Sequence, residues 1–336
     1  MLAPGENEIE RNAARLGNAS PFLSMIDPAN AFASLDGYLV RMGPQYRAVI
    51  MDSPYLFDRL RKACPSVPLI YETPNVNIEF FGRMAGDKRD VAIPLLKEVE
   101  SRAIADARSI LCVCDRDRDV IVEHYPAAQG KIHVVPNGVA VSHAYRVRPS
   151  ESIRLAKLYN LKVPAVLFVG SVLEANIRAM EFIVDRLAPS RPDVLWVIVG
   201  ITRKQYTECG GKGTIPANVL FTGRISESEK EAVMAMCRLA IAPMEIGTGS
   251  SLKIPDYIAH GKPVIATEIG LRGFEYLAGA VDVVALDELA SAVGQRLDEL
   301  EKDSASLDAR EADAFEIVRR NLDWPVMARQ VQALVE

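Results

Sequence analysis

A lysine, a carboxylate and a run of small donors stand in close order between Ala240 and Phe274. Gly247-Thr248-Gly249-Ser250-Ser251 follows an apolar run ending at Ile241-Ala242-Pro243, and makes a flexible turn rich in N–H and O–H donors. Leu252, Ile254, Tyr257 and Ile258 fall at helical spacing, and Gly261 with Pro263 closes that helix. Ser250 is its expected N-cap. Lys253 then lies in the first turn, where a cation opposes the helix dipole and needs either solvent or an anion. A phosphate partner is the favoured of these two readings. Asp256, one turn on, is placed either to accept from ribose or sugar hydroxyls or to face solvent as an ordinary helix carboxylate. A glycine loop above a helix, at the carboxyl end of a strand, is where α/β proteins hold phosphate.

Other phosphate, hydrolytic and metal motifs fail. A dinucleotide fingerprint needs glycine where Leu252 stands, no Gly-Lys-Ser/Thr closes a P-loop, and Gly-x-Ser-x-Gly is absent. His124, His133, His143 and His260 lack zinc spacing with one another or with the cysteines, so no metal is expected. The five cysteines are an odd number without scaffold spacing, which points to a reducing compartment. Cys112 and Cys114 read as small core residues ahead of redox or metal ligands.

A chain of 336 residues that is 49% apolar has room for about two domains with full cores. A net charge of −5 argues against a broad nucleic-acid surface. No apolar run approaches the roughly 20 residues of a spanning helix, and the start, MLAPGENEIERN, lacks the regions of a leader. The expected location is the cytoplasm, with peripheral membrane contact compatible with it; the oligomeric state is not readable.

These residues need strands and helices to position them. Strand patterns occur at 48–51, 67–71, 109–114 and 131–135, with helices at about 55–62, 95–107 and 115–124. Residues 140–163 carry several basic residues and no strand, and read as a linker. A second series follows, with strands at 165–169, 194–199, 219–221, 241–242, 264–266 and 283–286. Its helices fall at about 177–187, 226–236 and 289–300, and two more fill 309–335 with a break near Trp324-Pro325. Ser226 with Glu229 is a capping-box pattern, and Thr202 to Gly213 reads as helix or loop. Such alternation means parallel sheets covered on both faces. Gly170, Gly200, Gly223 and the Gly247/Gly249 pair all stand at strand ends of this half, where together they could line one crevice.

The segment Gly247 to Thr267, with Gly270-Leu271-Arg272-Gly273, resembles the donor site of family 4 (group 1) glycosyltransferases. Phe168-Val169-Gly170-Ser171, Asn176, Phe221-Thr222-Gly223-Arg224, Val134 to Val139 and the closing Trp324 helix extend the likeness. The resemblance implies the GT-B architecture, an α/β fold of two Rossmann-like domains with parallel sheets facing a central cleft. Residues 1–160 would form the acceptor-side domain and its linker. Residues 161–336 would form the donor domain, with the last helix (about 325–335) crossing back. It further implies a UDP- or GDP-sugar donor, an unspecified acceptor (glycan, lipid or small molecule), retention at the anomeric carbon and no cofactor or obligatory metal. Lys253 and Asn75 take the catalytic places. Gly170, Ser171, Gly223, Arg224, Gly247, Thr248, Gly249, Ser250, Ser251, Leu252, Lys253 and Asp256 take the nucleotide-sugar places.

Several positions depart from the family pattern. Thr248 stands where many members have a glutamate, and Ser171 and Asn176 stand near a missing basic pair. Pro74 precedes Asn75-Val76 where a histidine is common, and the first strand with its glycine loop is expected to be absent, the chain starting at Leu2-Ala3-Pro4-Gly5. Those departures carry the alternative of a non-catalytic nucleotide-sugar-binding or scaffolding protein.

Overall fold

A computed structural model of the chain describes residues 33–42, 45–84, 89–141, 144, 146–158, 161–211 and 214–335. The expected strand tail at Leu2 to Gly5, the question of a missing first strand, and His143 lie outside them. The chain divides into two compact units, 1–136 with 329–336 and 137–328.

The first unit carries a parallel sheet of four strands, β1 (Val49–Met51), β2 (Leu69–Thr73), β3 (Ser109–Cys112) and β4 (Ile132–Val134), paired in chain order. Its core gathers Leu69, Tyr71, Leu96, Ile104 and Ile110, all essentially without exposure. The helix expected from 95 covers Arg89–Asp106, and the helices Ala33–Met42 and Asn77–Met84 go beyond the sequence reading. One polar knot sits inside this core. Glu100 accepts from Tyr71 Oη (2.6 Å), Asn77 Nδ2 (2.7 Å) and Tyr125 Oη (2.5 Å), so three donors offset the cost of burying a carboxyl. Burial pushes the Glu100 pKa up against those bonds. Cys112 is core, as expected: its Sγ faces backbone carbonyls, and burial pushes its pKa up to about 12.

The second unit holds a six-stranded parallel sheet. Its strands are β5 (Ala165–Val169), β6 (Leu195–Val199), β7 (Val219–Gly223), β8 (Leu239–Ala242), β9 (Val264–Ala266) and β10 (Asp282–Val283), in the order β7-β6-β5-β8-β9-β10. That is the doubly wound order, in which the chain reverses direction between its first and fourth strands. Here those strands are β5 and β8, and the crevice outside their carboxyl ends is the expected place for a ligand. Trp196, Phe168 and Tyr257 anchor the core beside them. No helix among the described residues is long and apolar enough to cross a membrane.

The linker reading of 140–163 is corrected. Pro149–Leu158 is a helix belonging to the second unit, so the boundary falls at 136/137 rather than 160/161. Polar contacts fix it. The fully buried Lys262 donates from Nζ to Ser152 Oγ (2.7 Å) and to the Cys237 carbonyl (3.1 Å), and Ser150 binds Asp308 through its N–H (3.0 Å) and hydroxyl (2.5 Å). The break near Trp324 is present, between helices Ser304–Leu322 and Trp324–Val335, and residues 329–336 are grouped with the first unit.

Candidate functional site

The tips of β5, β6 and β7 are stitched by backbone bonds. Gly170 N–H donates to the Val199 carbonyl (2.9 Å), Gly200 N–H to Gly223 (3.0 Å) and Gly223 N–H to Ile201 (3.0 Å). Beyond those tips and the end of β8 lies a cleft with two lobes. One, of about 580 Å³, is lined among others by Ser171, Asn176, Ser250, Ser251, Lys253 and Asp256. The other, of about 550 Å³, reaches past Gly170, Gly200 and Arg224, and the two share Val169, Ser171 and Lys230. Pro243 ends β8 and turns the chain into the glycine loop.

That loop is held from behind. Arg272 donates from Nε to the Thr248 carbonyl (3.2 Å), while the Arg272 carbonyl accepts from Ser251 N–H (3.0 Å). Gly249 has φ +60°, the left-handed region where a side chain is costly. The helix is Lys253–Ala259, and its N-cap is Leu252 without a side-chain cap. The expectation that Ser250 caps it is therefore corrected: the Ser250 hydroxyl instead accepts from Asn137 Nδ2 (2.9 Å). At the other end Gly261, with φ +71°, closes the helix as expected.

Lys253 is half-buried. Its Nζ donates to Asn176 Oδ1 (3.1 Å), touches Met244 Sδ (3.7 Å) and sits 5.3 Å from the Phe168 ring centre. Among the described residues no carboxylate lies within ion-pair distance of it. Burial lowers its pKa to about 7, and the Arg272 guanidinium adds to that fall. Ser251 is buried, and its Oγ, lining the same cleft, has no hydrogen-bond partner among the described residues. A cation lacking its counter-charge and a buried hydroxyl lacking an acceptor thus meet at one wall.

Asp256 is already engaged. Its carboxylate lies 3.5 Å from Lys230 Nζ and 3.5 Å from His260 Nδ1, so it is not a free solvent-facing helix carboxylate. Lys230 also pairs with Glu227 (2.5 Å); burial pulls its pKa down, but Asp256 and Glu227 outweigh that and hold it above its ordinary value. Gly223, Gly247, Thr248 and Gly249 shape the backbone without lining either lobe, Leu252 is half-exposed at the rim, and Arg224 is exposed at the second lobe. Asn75 lies in the first unit, where its carbonyl accepts from Thr73 Oγ1 (2.5 Å). Among the described residues no cluster of His, Cys, Asp or Glu is arranged to hold a metal ion.

Lys230 escapes a reading by sequence, and Asn137, within the Val134 to Val139 likeness, has no role assigned by it. Lys230 stands three residues after Glu227 and looks like a surface helix pair. Asn137 meets a partner 113 residues away.

The Lys253 titration carries a prediction. An anion stabilises the ammonium, so Lys253 is protonated in a diphosphate complex and largely neutral in the free protein above pH 7. Binding of a nucleoside diphosphate at pH 8, where a phosphate ester of second pKa about 6 is already ionised, takes up close to one proton per site. Calorimetry in buffers of different ionisation heat measures this, and affinity should fall as pH rises above 7. Binding without proton uptake at pH 8 would remove Lys253 from the anion site.

Residues 163–300 match the family model described as group 1 glycosyl transferases. TuaH of Bacillus subtilis, named a teichuronic acid biosynthesis glycosyltransferase, is 24% identical over 257 residues, covering 70% of this chain and 59% of TuaH. The chain thus spans less than two thirds of that relative's length. Among solved structures, HepE of Anabaena in complex with UDP superposes with a TM-score of 0.68 at 16% identity, covering 89% of this chain and 81% of HepE. Sucrose-phosphate synthase of Thermosynechococcus elongatus gives 0.66 at 15% identity, covering 95% and 77%. Residues 163–300 are thus similar to the group 1 glycosyl transferases, and the fold of the chain is the α/β architecture of the GT-B enzymes.

Proposed function

We propose that the chain is a retaining glycosyltransferase that moves a sugar from a nucleoside-diphosphate donor to an acceptor, with the cleft of the second unit as donor site. The observation that carries this is Lys253, a lysine with no carboxylate partner among the described residues, beside the Ser251 hydroxyl, which likewise has no partner among them. Breaking the bond from the anomeric carbon to the diphosphate oxygen leaves a second negative charge on the β-phosphate of the leaving group. Preorganised cations and donors aimed at that charge lower the barrier. Lys253 Nζ and the hydroxyls of Ser250 and Ser251, which line the cleft, can supply them. Asp256, its carboxylate paired with Lys230, is the acceptor for donor hydroxyls, and Gly170, Ser171 and Arg224 bound the nucleoside end. Asn75 takes the acceptor side.

HepE is solved with UDP and with UDP-glucose, which makes uridine diphosphate sugars the first donors to try. The purified chain is incubated with radiolabelled UDP- and GDP-sugars, and label is followed into acceptor mixtures and into free sugar. Transfer or slow donor hydrolysis is expected, reduced about 10²–10³-fold in Lys253→Met. Tight nucleotide binding with neither outcome would instead favour a non-catalytic binding protein.

A further inference from the structure

Ser250 is tied to a residue remote in sequence, and the direction of that bond has chemical content. Asn137 Nδ2 donates to Ser250 Oγ at 2.9 Å. A hydroxyl has one hydrogen to give and two lone pairs to receive with. With a lone pair occupied by the Asn137 amide, the Ser250 hydrogen is left to point elsewhere, and Ser250 lines the cleft beside Ser251 and Lys253. We propose that Asn137 is a positioning residue that fixes the Ser250 hydroxyl as a hydrogen-bond donor to the diphosphate. This inference rests on the donor-site reading above.

The segment carrying Asn137 is built to hold still. Val139 N–H donates to the Leu322 carbonyl (2.9 Å), and Val139 forms a parallel bridge with Asp323. Gly138 packs under the Trp324 ring so closely that a Cβ there would lie 2.8 Å from the indole. A short, restrained arm is what orienting a hydroxyl requires, because a mobile amide would exchange donor and acceptor roles with it. A simple tether between two loops would work as well with the hydrogen bond reversed. A device that orients the Ser250 hydrogen would not.

That difference is testable in the full chain. Calorimetry measures UDP and GDP, with uridine and guanosine as controls, against wild type, Asn137→Ala, Asn137→Asp, Ser250→Ala and the Asn137→Ala/Ser250→Ala and Asn137→Asp/Ser250→Ala double variants. Asn137→Ala and Ser250→Ala each weaken the bound diphosphate about threefold to tenfold, leave the nucleoside unchanged, and in combination lose no more than either alone. Asn137→Asp keeps a partner for Ser250 but only accepts, so it draws the hydrogen away from the ligand. It should weaken binding more than Asn137→Ala does, and much of that excess should vanish in the Ser250→Ala background. Should Asn137→Ala melt below the assay temperature, Asn137→Asp in the two backgrounds decides alone. Wild-type affinity in Asn137→Ala, losses that multiply in the double variant, or an Asp penalty independent of Ser250 would each overturn the role. If those outcomes occur while Lys253→Met still weakens diphosphate binding about 10- to 100-fold, this inference fails and the donor reading stands. If wild type binds neither diphosphate, both fall.

Discussion

Replacing Lys253 with methionine is expected to cost nucleoside-diphosphate affinity about 10- to 100-fold while leaving nucleoside affinity nearly unchanged. A hydrogen bond to a charged group is worth roughly 1.5–3 kcal/mol, and each 1.4 kcal/mol is tenfold in binding. Turnover should fall further, by about 10²–10³, because the ammonium meets more charge as the diphosphate departs. The same substitution should leave thermal stability unchanged or raise it. Lys253 is held by an amide oxygen and a thioether rather than a carboxylate, and burial lowers its pKa to about 7, so the free protein gives up stability to keep the amine there. Methionine keeps the apolar stem against Phe168 and removes the amine. Arginine should not rescue, since a planar fork does not replace a compact ammonium packed between Asn176, Met244 and that ring. Titration calorimetry with UDP or GDP, paired with thermal melts, gives both readings. A variant that loses stability and binding together would mean that Lys253 is structural.

The parts of this molecule legible in its sequence are those dictated by local rules. The run from Ala165 to Val169 forms β5 over those residues, because an unbroken apolar pentapeptide bounded by proline and glycine is a buried parallel strand. The Ser226–Glu229 capping box is present with both of its bonds, and Thr202–Gln205 forms a second one in a stretch read only as helix or loop. Non-local contacts were hidden. The helix Pro149–Leu158 lies in a stretch whose basic residues read as a linker; Lys262 and Asp308 hold it through Ser152 and Ser150, and nearby Arg146 lies 4.3 Å over the Phe315 ring. A serine before a helix reads as a cap unless its partner is known, and Asn137 takes the hydroxyl of Ser250 from across the fold. Lys253 was legible as a cation needing an anion. Its isolation from every carboxylate among the described residues needed coordinates.

Gly200→Ala should be among the most damaging single-methyl changes in the second unit, at about 3–5 kcal/mol. Two costs add. Gly200 has φ +116°, where a side chain costs on the order of 1–3 kcal/mol. A Cβ there would also lie far inside contact distance of the Gly170 carbonyl oxygen, and overpacking costs typically 1–3 kcal/mol more. The carbonyl has little freedom to yield, because Gly170 N–H is bonded to Val199 and Gly200 N–H to Gly223, locking three strand tips together. Gly210→Ala separates the two costs, since Gly210 has φ +93° but nothing within 4 Å of its Cβ position. Urea unfolding followed at Trp196, buried in β6, should place Gly210→Ala near the backbone cost alone and Gly200→Ala at least about 1 kcal/mol below it. Equal losses would mean that the strand tips do not approach as closely as described. Because Ser171 follows Gly170 and accepts from the Asn176 amide (3.4 Å), which in turn holds Lys253, the displaced tip should also weaken diphosphate binding under conditions where the variant is still folded. The nearest atoms to a methyl at Gly200 are the Gly170 backbone and not the cleft's polar side chains, so a binding loss there reports on the backbone that positions them.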